Sequence, residues 1–241
     1  MTEQLGKIEK PEVEHFKGRK KLYLVPLIYC SEDGPAEYLE KCNRYWQQVA
    51  EQVVNLASKI GIVSRVYHES VFEPGENGMK VVEKLNAGSY RIARTHCDNG
   101  ATFETIEERE LFEEVMDWQR CLMLGFMSDK VANKVSEFYV EAAKKRNELV
   151  AKRITETLGE EESGLLFIRE DHSVQFPGDV EVFSIFPPAL DEIHRWYRDQ
   201  ARVGLDELAK KSEEKSEEKG EEKAEDVKKR TAKRARKEPK G

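Results

Sequence analysis

The sequence predicts an α/β protein with a mostly parallel sheet of about four or five strands and three long helices. Its first apolar run, residues 21–29, is continuous, which is typical of a strand that is covered on both faces. A long amphipathic segment follows and stops at Gly61, and a second apolar run covers residues 62–67. Strand, helix and strand in this order indicate a parallel β-α-β crossover.

Prolines mark the boundaries of the first two elements. Pro26 cannot donate to a strand ladder, so it indicates a bulge, a strand end or an edge position. Pro35 suits the first position of the following helix. The apolar residues of that helix recur every three or four positions: Leu39, Cys42, Trp46, Val49, Val53, Leu56 and Ile60.

The middle of the chain predicts a helical hairpin. A short helix is expected over residues 79–85, whereas residues 86–102 are expected to form a loop or a short strand without a definite place in the sheet. A helix over residues 105–127 and a second one through Leu158, with Ser128 at its N-cap, would form the hairpin 105–158.

Two more strands complete the predicted domain, at residues 165–168 and 180–186, and Pro187-Pro188 should open a last helix. We therefore expect a flexible N-terminal arm over residues 1–18 and an α/β domain over residues 19–205. The Lys/Glu-rich segment 206–241 has too few apolar residues to fold alone and is expected to be a charged, low-complexity tail.

Charge and composition limit the partners. The net charge is −7, and the acidic body argues against a general nucleic-acid-binding surface. Only the basic segment 228–240 suggests contact with a polyanion, and a solubilising tail that folds back on acidic residues is an equally good alternative.

No apolar run is long enough to span a membrane. A cytoplasmic location is therefore expected, and a homo-oligomer is left open.

The four cysteines, Cys30, Cys42, Cys97 and Cys121, form no CxxC pair. We expect them to be buried free thiols in a reducing compartment.

Two arginines lie on the apolar stripe of the helix that ends at Leu158. At 100° per residue, Arg146 and Arg153 fall within the arc occupied by Val135, Phe138 and Leu149. A core-facing guanidinium needs an anion beside it, either a carboxylate or an anionic ligand. The alternative is that the stripe shifts and both side chains extend to water.

Polar clusters follow two predicted strands. His68 and Glu69 come after the second strand, and Asp171 and His172 lie in the turn after the strand at 165–168. Ligands of open α/β sheets bind at the carboxyl ends of strands, so Glu69 could pair with Arg146 or orient a water or metal. His172 could ligate a metal or relay protons. Ordinary surface loop residues are the alternative.

The order of these clusters resembles the TraB-like domain, which is related to the erythromycin-esterase and ChaN-like groups. The resemblance covers roughly residues 21–186 and places Glu69, Arg146 (followed by Asn147) and His172 at matching positions. In that family a first Gly-x-x-His, a Glu, an Arg and a second Gly-x-x-His gather at one end of the sheet, which implies metal-dependent hydrolysis. Here the first motif is replaced by the segment 25–30, and the second, 169–172, lacks its Gly. The missing His favours a pseudo-enzyme.

Three functional hypotheses follow. The first is a non-catalytic binding or regulatory protein, since the common catalytic motifs are absent from the sequence. The second is a metal-dependent hydrolase in which Glu69, His172 and His68 act on an anionic or peptide-like substrate. In it Arg146 would hold the anionic group. The third is a polyanion-associated protein that acts through its basic end. The sequence identifies no cofactor.

Overall fold

A sheet of five parallel strands forms the centre of the described part of the protein, in the order β3-β2-β4-β1-β5. The computed structural model describes residues 18–30 and 33–203. The strands are β1 (Lys20–Pro26), β2 (Val63–His68), β3 (Thr102–Glu104), β4 (Ser163–Ile168) and β5 (Val180–Ser184). The predicted α/β class is confirmed, and every strand pair is parallel.

Helices connect the first four strands. They are α1 (Ala36–Lys59), α2 (Gly75–Leu85), α3 (Ala87–Asp98), α4 (Arg109–Leu124) and α5 (Asp129–Thr157). A further helix begins at residue 188. The predicted hairpin is present as α4 and α5, which pack against each other.

Several predicted boundaries need correction. Residues 86–102, which were expected to form a loop or a short strand, contain α3 and the start of β3. The helix expected from Thr105 begins only at Arg109, because Glu108 has extended backbone angles of φ −118° and ψ 127°. Pro26 is the last residue of β1, which selects the strand end among the three alternatives for this proline.

The two faces of the sheet pack against different helices. Side chains alternate along each strand, so Leu24, Tyr67 and Leu166 share one face, where they form a core with Val150 and Ile154 of α5. On the other face Phe167 packs against Trp46 of α1, with ring centroids 6.3 Å apart. Because both faces are covered, the central strands β1 and β4 are buried along nearly their whole length, as the continuous run in β1 predicted.

The connections diverge between the neighbouring strands β2 and β4. From β2 the chain moves outward to β3, whereas from β4 it moves in the opposite direction, past β1, to reach β5. Such a divergence between neighbouring strands opens a crevice at their carboxyl ends, which is the usual ligand position in open α/β sheets.

The chain divides into two units after Leu190. The first contains all five strands, and the described residues of the second, 191–203, are helical. The predicted tail 206–241 and the predicted N-terminal arm, except Gly18, lie outside the described residues. None of the described helices combines the length and the apolar character needed to cross a membrane.

Candidate functional site

Four neighbouring strands deliver polar side chains to the carboxyl edge of the sheet. Glu69 and Arg169 come directly after β2 and β4, while Glu107 and Tyr29 come three residues after β3 and β1. Because the strands are parallel and adjacent, their ends meet at one edge. We call Tyr29, Glu69, Glu107, Arg169 and the α5 residue Arg146 the edge cluster.

Arg146 and Glu107 form a buried ion pair at the centre of the edge cluster. Nε of Arg146 donates to Oε2 of Glu107 at 3.0 Å, and Nη2 donates to Oε1. Both side chains are buried, and the guanidinium lies over the ring of Phe112, 5.4 Å from its centroid. Two parallel hydrogen bonds are the strong geometry for an arginine and a carboxylate. Arg146 is buried, which was one of the two alternatives, and its anion is a carboxylate of the same chain. The buried side of α5 is nevertheless shifted from the predicted stripe, since Phe138 is exposed and Val150 and Ile154 are buried.

Glu107 also receives donors from two other directions. The backbone amide of Ser70 donates to its Oε1 at 3.4 Å, and Nη1 of Arg153 donates to its backbone carbonyl. Nη2 of Arg153 lies 3.9 Å from Oε2 of Glu108, and its side chain is partly exposed. Arg153 thus fastens α5 to the loop after β3, with its end close to solvent.

Glu69 lies between two guanidinium groups. Its side chain is 2% exposed, and its Oε2 is 3.6 Å from Nη2 of Arg146 and 3.6 Å from Nε of Arg169. Its Oε1 accepts the backbone amide of Arg169 at 3.0 Å. Burial raises the pKa of Glu69 to about 7, with the charge of Glu107 acting in the same direction and the two arginines opposing it. The carboxyl group of Glu69 therefore changes between its protonated and ionised forms near neutral pH.

Tyr29 and Ser70 close the edge cluster on the side of β1. Partial burial and the nearby charge of Glu69 raise the pKa of Tyr29 to about 12, while Arg169 and a hydrogen bond with the Ser70 side chain lower it. Ser70 has a φ of 64°, the left-handed region that non-glycine residues rarely occupy. This conformation lets the Ser70 amide face Glu107 while its hydroxyl meets Tyr29.

His68 is buried beneath the edge cluster and acts as a neutral link. Its Nδ1 is 2.6 Å from the backbone carbonyl of Glu69 and its Nε2 is 3.1 Å from Oγ of Ser89. A carbonyl oxygen can only accept, so Nδ1 carries the proton and Nε2 accepts from the Ser89 hydroxyl. Burial lowers the pKa of His68 to about 4. Both ring nitrogens are used to join the end of β2 to α3.

The contacts of His172 lie within its own loop. Its Nδ1 accepts the backbone amide of Val174 at 3.3 Å, and its ring packs edge-on against Phe176. Burial lowers the pKa of His172. The neighbouring Asp171 is exposed, with Oδ1 3.9 Å from Nε of Arg169. Within residues 18–30 and 33–203, no group of three or more His, Cys, Asp or Glu side chains could hold a metal ion.

A cleft of about 550 Å³ lies beside the edge cluster and shares Tyr29 with it. We call it the disulfide cleft, because Cys30 and Cys42 line it and form a disulfide with a Cα–Cα distance of 6.4 Å. The expectation of four free thiols was therefore wrong for this pair, although Cys97 and Cys121 are free. The other lining residues are Leu39, Asn43, Trp46, Glu83, Lys84, Leu85, Asn86, Ala87, Gly88 and Arg91.

Of the candidates named from the sequence, the structure brings Glu69 and Arg146 into contact and places Arg153 on the same loop residue, Glu107. Sequence reasoning missed Glu107, Arg169 and Tyr29 as site residues. Glu107 was assigned to the start of a helix, and the turn after β4 drew attention to its histidine. The available signal was position alone, since each of the three follows a strand closely.

Comparison with known proteins gives no relative. No protein-family model, no curated protein and no solved structure matches the chain.

Proposed function

We propose that the protein is a binding or regulatory protein that takes a small anionic ligand at the edge cluster and does not perform catalysis there. The observation that carries this proposal is the position of Glu69, a buried carboxyl group 3.6 Å from both Arg146 and Arg169 at the carboxyl edge of the sheet. This edge, where the connections from β2 and β4 diverge, is where the fold favours a ligand.

Binding is favoured over catalysis because the reactive side chains are already engaged. The guanidinium of Arg146 donates two hydrogen bonds to Glu107. His68 uses both ring nitrogens internally, and Nδ1 of His172 accepts a backbone amide. A general acid or base must reach the substrate through a hydrogen bond, and His68 has no ring nitrogen left to make one.

The charges of the edge cluster favour an anion together with a proton. With Glu69 protonated, Arg146 and Arg169 outnumber the single charge of Glu107, whereas ionised Glu69 makes the four groups neutral. An anion beside Arg169 would therefore raise the pKa of Glu69 further, and binding would take up a proton. Arg169 is the guanidinium that a ligand can reach, because its side chain is 38% exposed.

The disulfide cleft offers space for the rest of the ligand. Its volume of about 550 Å³ is in the range of small-molecule sites, and Tyr29 forms part of both its wall and the edge cluster. A ligand that places its anionic group beside Arg169 could thus extend along Tyr29 into the cleft.

The resemblance to the TraB-like domain remains part of this proposal. The contact between Glu69 and Arg146 at the carboxyl edge supports it, and the absent first histidine motif makes a pseudo-enzyme the preferred form. The cytoplasmic location also remains a proposal. The basic segment 228–240 lies outside the described residues, so a polyanion partner stays a prediction.

Ligand-induced stabilisation tests the proposal with succinate and inorganic phosphate as probe anions. At constant ionic strength, we expect saturable increases in thermal stability for the full chain, larger at pH 6 than at pH 8 because protonated Glu69 favours the anion. Arg169→Gln should remove the increase, whereas Arg120→Gln, on the exposed face of α4, should retain it. No saturable increase, or an equal one in Arg169→Gln, contradicts the proposal.

The hydrolase alternative has its own test. Metal content of the purified protein is compared with that of Glu69→Ala and His172→Ala. Stoichiometric metal that is lost on either change would contradict a role limited to binding.

A further inference from the structure

The two cysteines of the Cys30–Cys42 disulfide differ in exposure. Cys30 lies in the loop after β1 and is partly exposed, whereas Cys42 is 2% exposed within α1. Both line the disulfide cleft. A thiol that enters the cleft therefore reaches the sulfur of Cys30 first, and Cys42 is placed to leave.

The charges around the disulfide cleft favour the binding of an anionic molecule. Its lining contains two cations, Lys84 and Arg91, and one acid, Glu83. Cations beside a cysteine stabilise the thiolate that attacks or leaves during exchange. They also attract thiols that carry carboxylates.

The loop that holds Cys30 has other attachments, so opening the disulfide need not unfold the protein. Hydroxyl groups of Tyr45 and Tyr38 donate to the backbone carbonyls of Pro26 and Tyr29, the second at 3.0 Å. Nδ2 of Asn86 donates to the backbone carbonyl of Ile28 at 2.6 Å. Three hydrogen bonds thus hold residues 26–29 against α1 and α3 when the covalent link is absent.

We propose that Cys30–Cys42 is a redox-active disulfide that exchanges with an anionic low-molecular-weight thiol bound in the disulfide cleft. This assignment does not rest on the proposed anion site beside Arg169, and either one can fail alone.

The exchange is a two-electron reduction of the protein by two thiols. A thiolate attacks Sγ of Cys30, the S–S bond breaks, and its electron pair leaves on Sγ of Cys42, which takes up a proton. A second thiol attacks the external sulfur of the mixed disulfide and releases Cys30 as a thiolate. The products are the protein dithiol and the oxidised disulfide of the small thiol.

The first experiment identifies the attacked sulfur by intact-protein and peptide mass spectrometry. Full-length protein with Cys97→Ser and Cys121→Ser removes the other thiols, and Cys42→Ser or Cys30→Ser is added to it. With oxidised glutathione, we expect a mixed disulfide on Cys30 in the first variant and little modification of Cys42 in the second. Equal modification of both, or free thiols at both positions in air-oxidised parent protein, overturns the proposal.

The second experiment measures charge selectivity of reduction. Rates with glutathione, which is anionic, and cysteamine, which is cationic, are each divided by the rate of the same thiol with hydroxyethyl disulfide. We expect a preference for glutathione of roughly three-fold or more, which shrinks at high salt. Lys84→Gln combined with Arg91→Gln should remove it, while Lys80→Gln, exposed on α2 and outside the lining, should not. No preference, or one unaffected by the double variant, overturns an anion-selective site.

Discussion

Arg146 and Glu107 lie 39 residues apart in sequence, yet their side chains form two hydrogen bonds in the interior. The pair joins the middle of α5 to the loop after β3. It also fixes the position of the guanidinium beside Glu69, with Nη2 3.6 Å from Oε2. The edge cluster therefore depends on an ion pair that belongs to the fold.

Removing one partner of the ion pair between Arg146 and Glu107 should lower the free energy of unfolding. Arg146→Met leaves Glu107 charged and buried, and we expect a loss of roughly 3–5 kcal/mol in the free energy of unfolding, measured by chemical denaturation. Lys145→Met is the matched control, since this neighbour pairs with Glu141 at 2.8 Å but both are exposed, and it should remain near wild type. The double variant Arg146→Met/Glu107→Gln should recover much of the loss. A single variant as stable as the control would contradict the structural role of the pair.

The ionisation of Glu69 should lower the free energy of unfolding as the pH rises. Its folded pKa, about 7, lies above the ordinary value of 4.5 for a glutamate side chain, so the folded state holds the proton more tightly. Glu69 therefore contributes to the free energy of unfolding fully below about pH 4.5, and this contribution is lost as the pH rises through about 7. Glu69→Gln keeps a neutral side chain, so its stability relative to wild type should improve by about 3 kcal/mol between pH 4.5 and 8. A difference that does not change with pH would show that Glu69 titrates normally.

The protonation of His68 should have the opposite pH dependence, because it lowers the free energy of unfolding as the pH falls. Burial lowers its folded pKa to about 4 from 6.5, so its contribution is present above about pH 6.5 and is lost as the pH falls towards 4. His68→Gln removes the stability loss caused by protonating His68, so the free energy of unfolding of this variant should increase relative to wild type as the pH falls from about 6.5 towards 4. Since the effects of His68 and Glu69 overlap and oppose each other, wild type should show a flatter profile than either variant. Unchanged acid dependence in His68→Gln would contradict a buried neutral imidazole.

Gly88 sets the wall of the disulfide cleft. A Cβ at this position would lie 2.2 Å from Nε1 of Trp46, so Gly88→Ala must displace the indole ring. We expect a loss of roughly 1–3 kcal/mol and a shift in tryptophan emission. Gly178→Ala is the control, because its Cβ would meet nothing within 4 Å. Equal effects of the two changes would mean that Trp46 does not pack on Gly88.

The sequence predicted β1 and β4 well because both strands are buried along nearly their whole length. Such continuous runs require cover by helices, and the glycine after α1 marked the crossover. Residues 87–98 were missed because three of the four buried residues of α3, Gly88, Ser89 and Ala93, are small and make the apolar pattern weak. The helical stripe left the burial of Arg146 as one of two alternatives, and the contact with Glu107 explains which one holds.

The partners in the site could not be predicted in the same way. Glu107 lies within an acidic stretch that continues into α4, and the extended backbone of Glu108, which keeps Glu107 out of the helix, leaves no local signal in the sequence. Cys30 and Cys42 are brought together by the loop after β1 folding onto α1, which is a tertiary contact. The three-residue displacement of Glu107 and Tyr29 from their strands depends on loop shapes that spacing does not fix.

The ionisation of Glu69 tests the central claim most directly. Carboxyl carbon chemical shifts of Glu69, assigned by comparison with Glu69→Gln, can be followed by NMR as the pH is varied. We expect a midpoint near 7, which moves upward when succinate or phosphate is added at constant ionic strength. A midpoint near the ordinary glutamate pKa of 4.5, unmoved by either anion, would contradict a buried carboxyl group that couples anion binding to proton uptake.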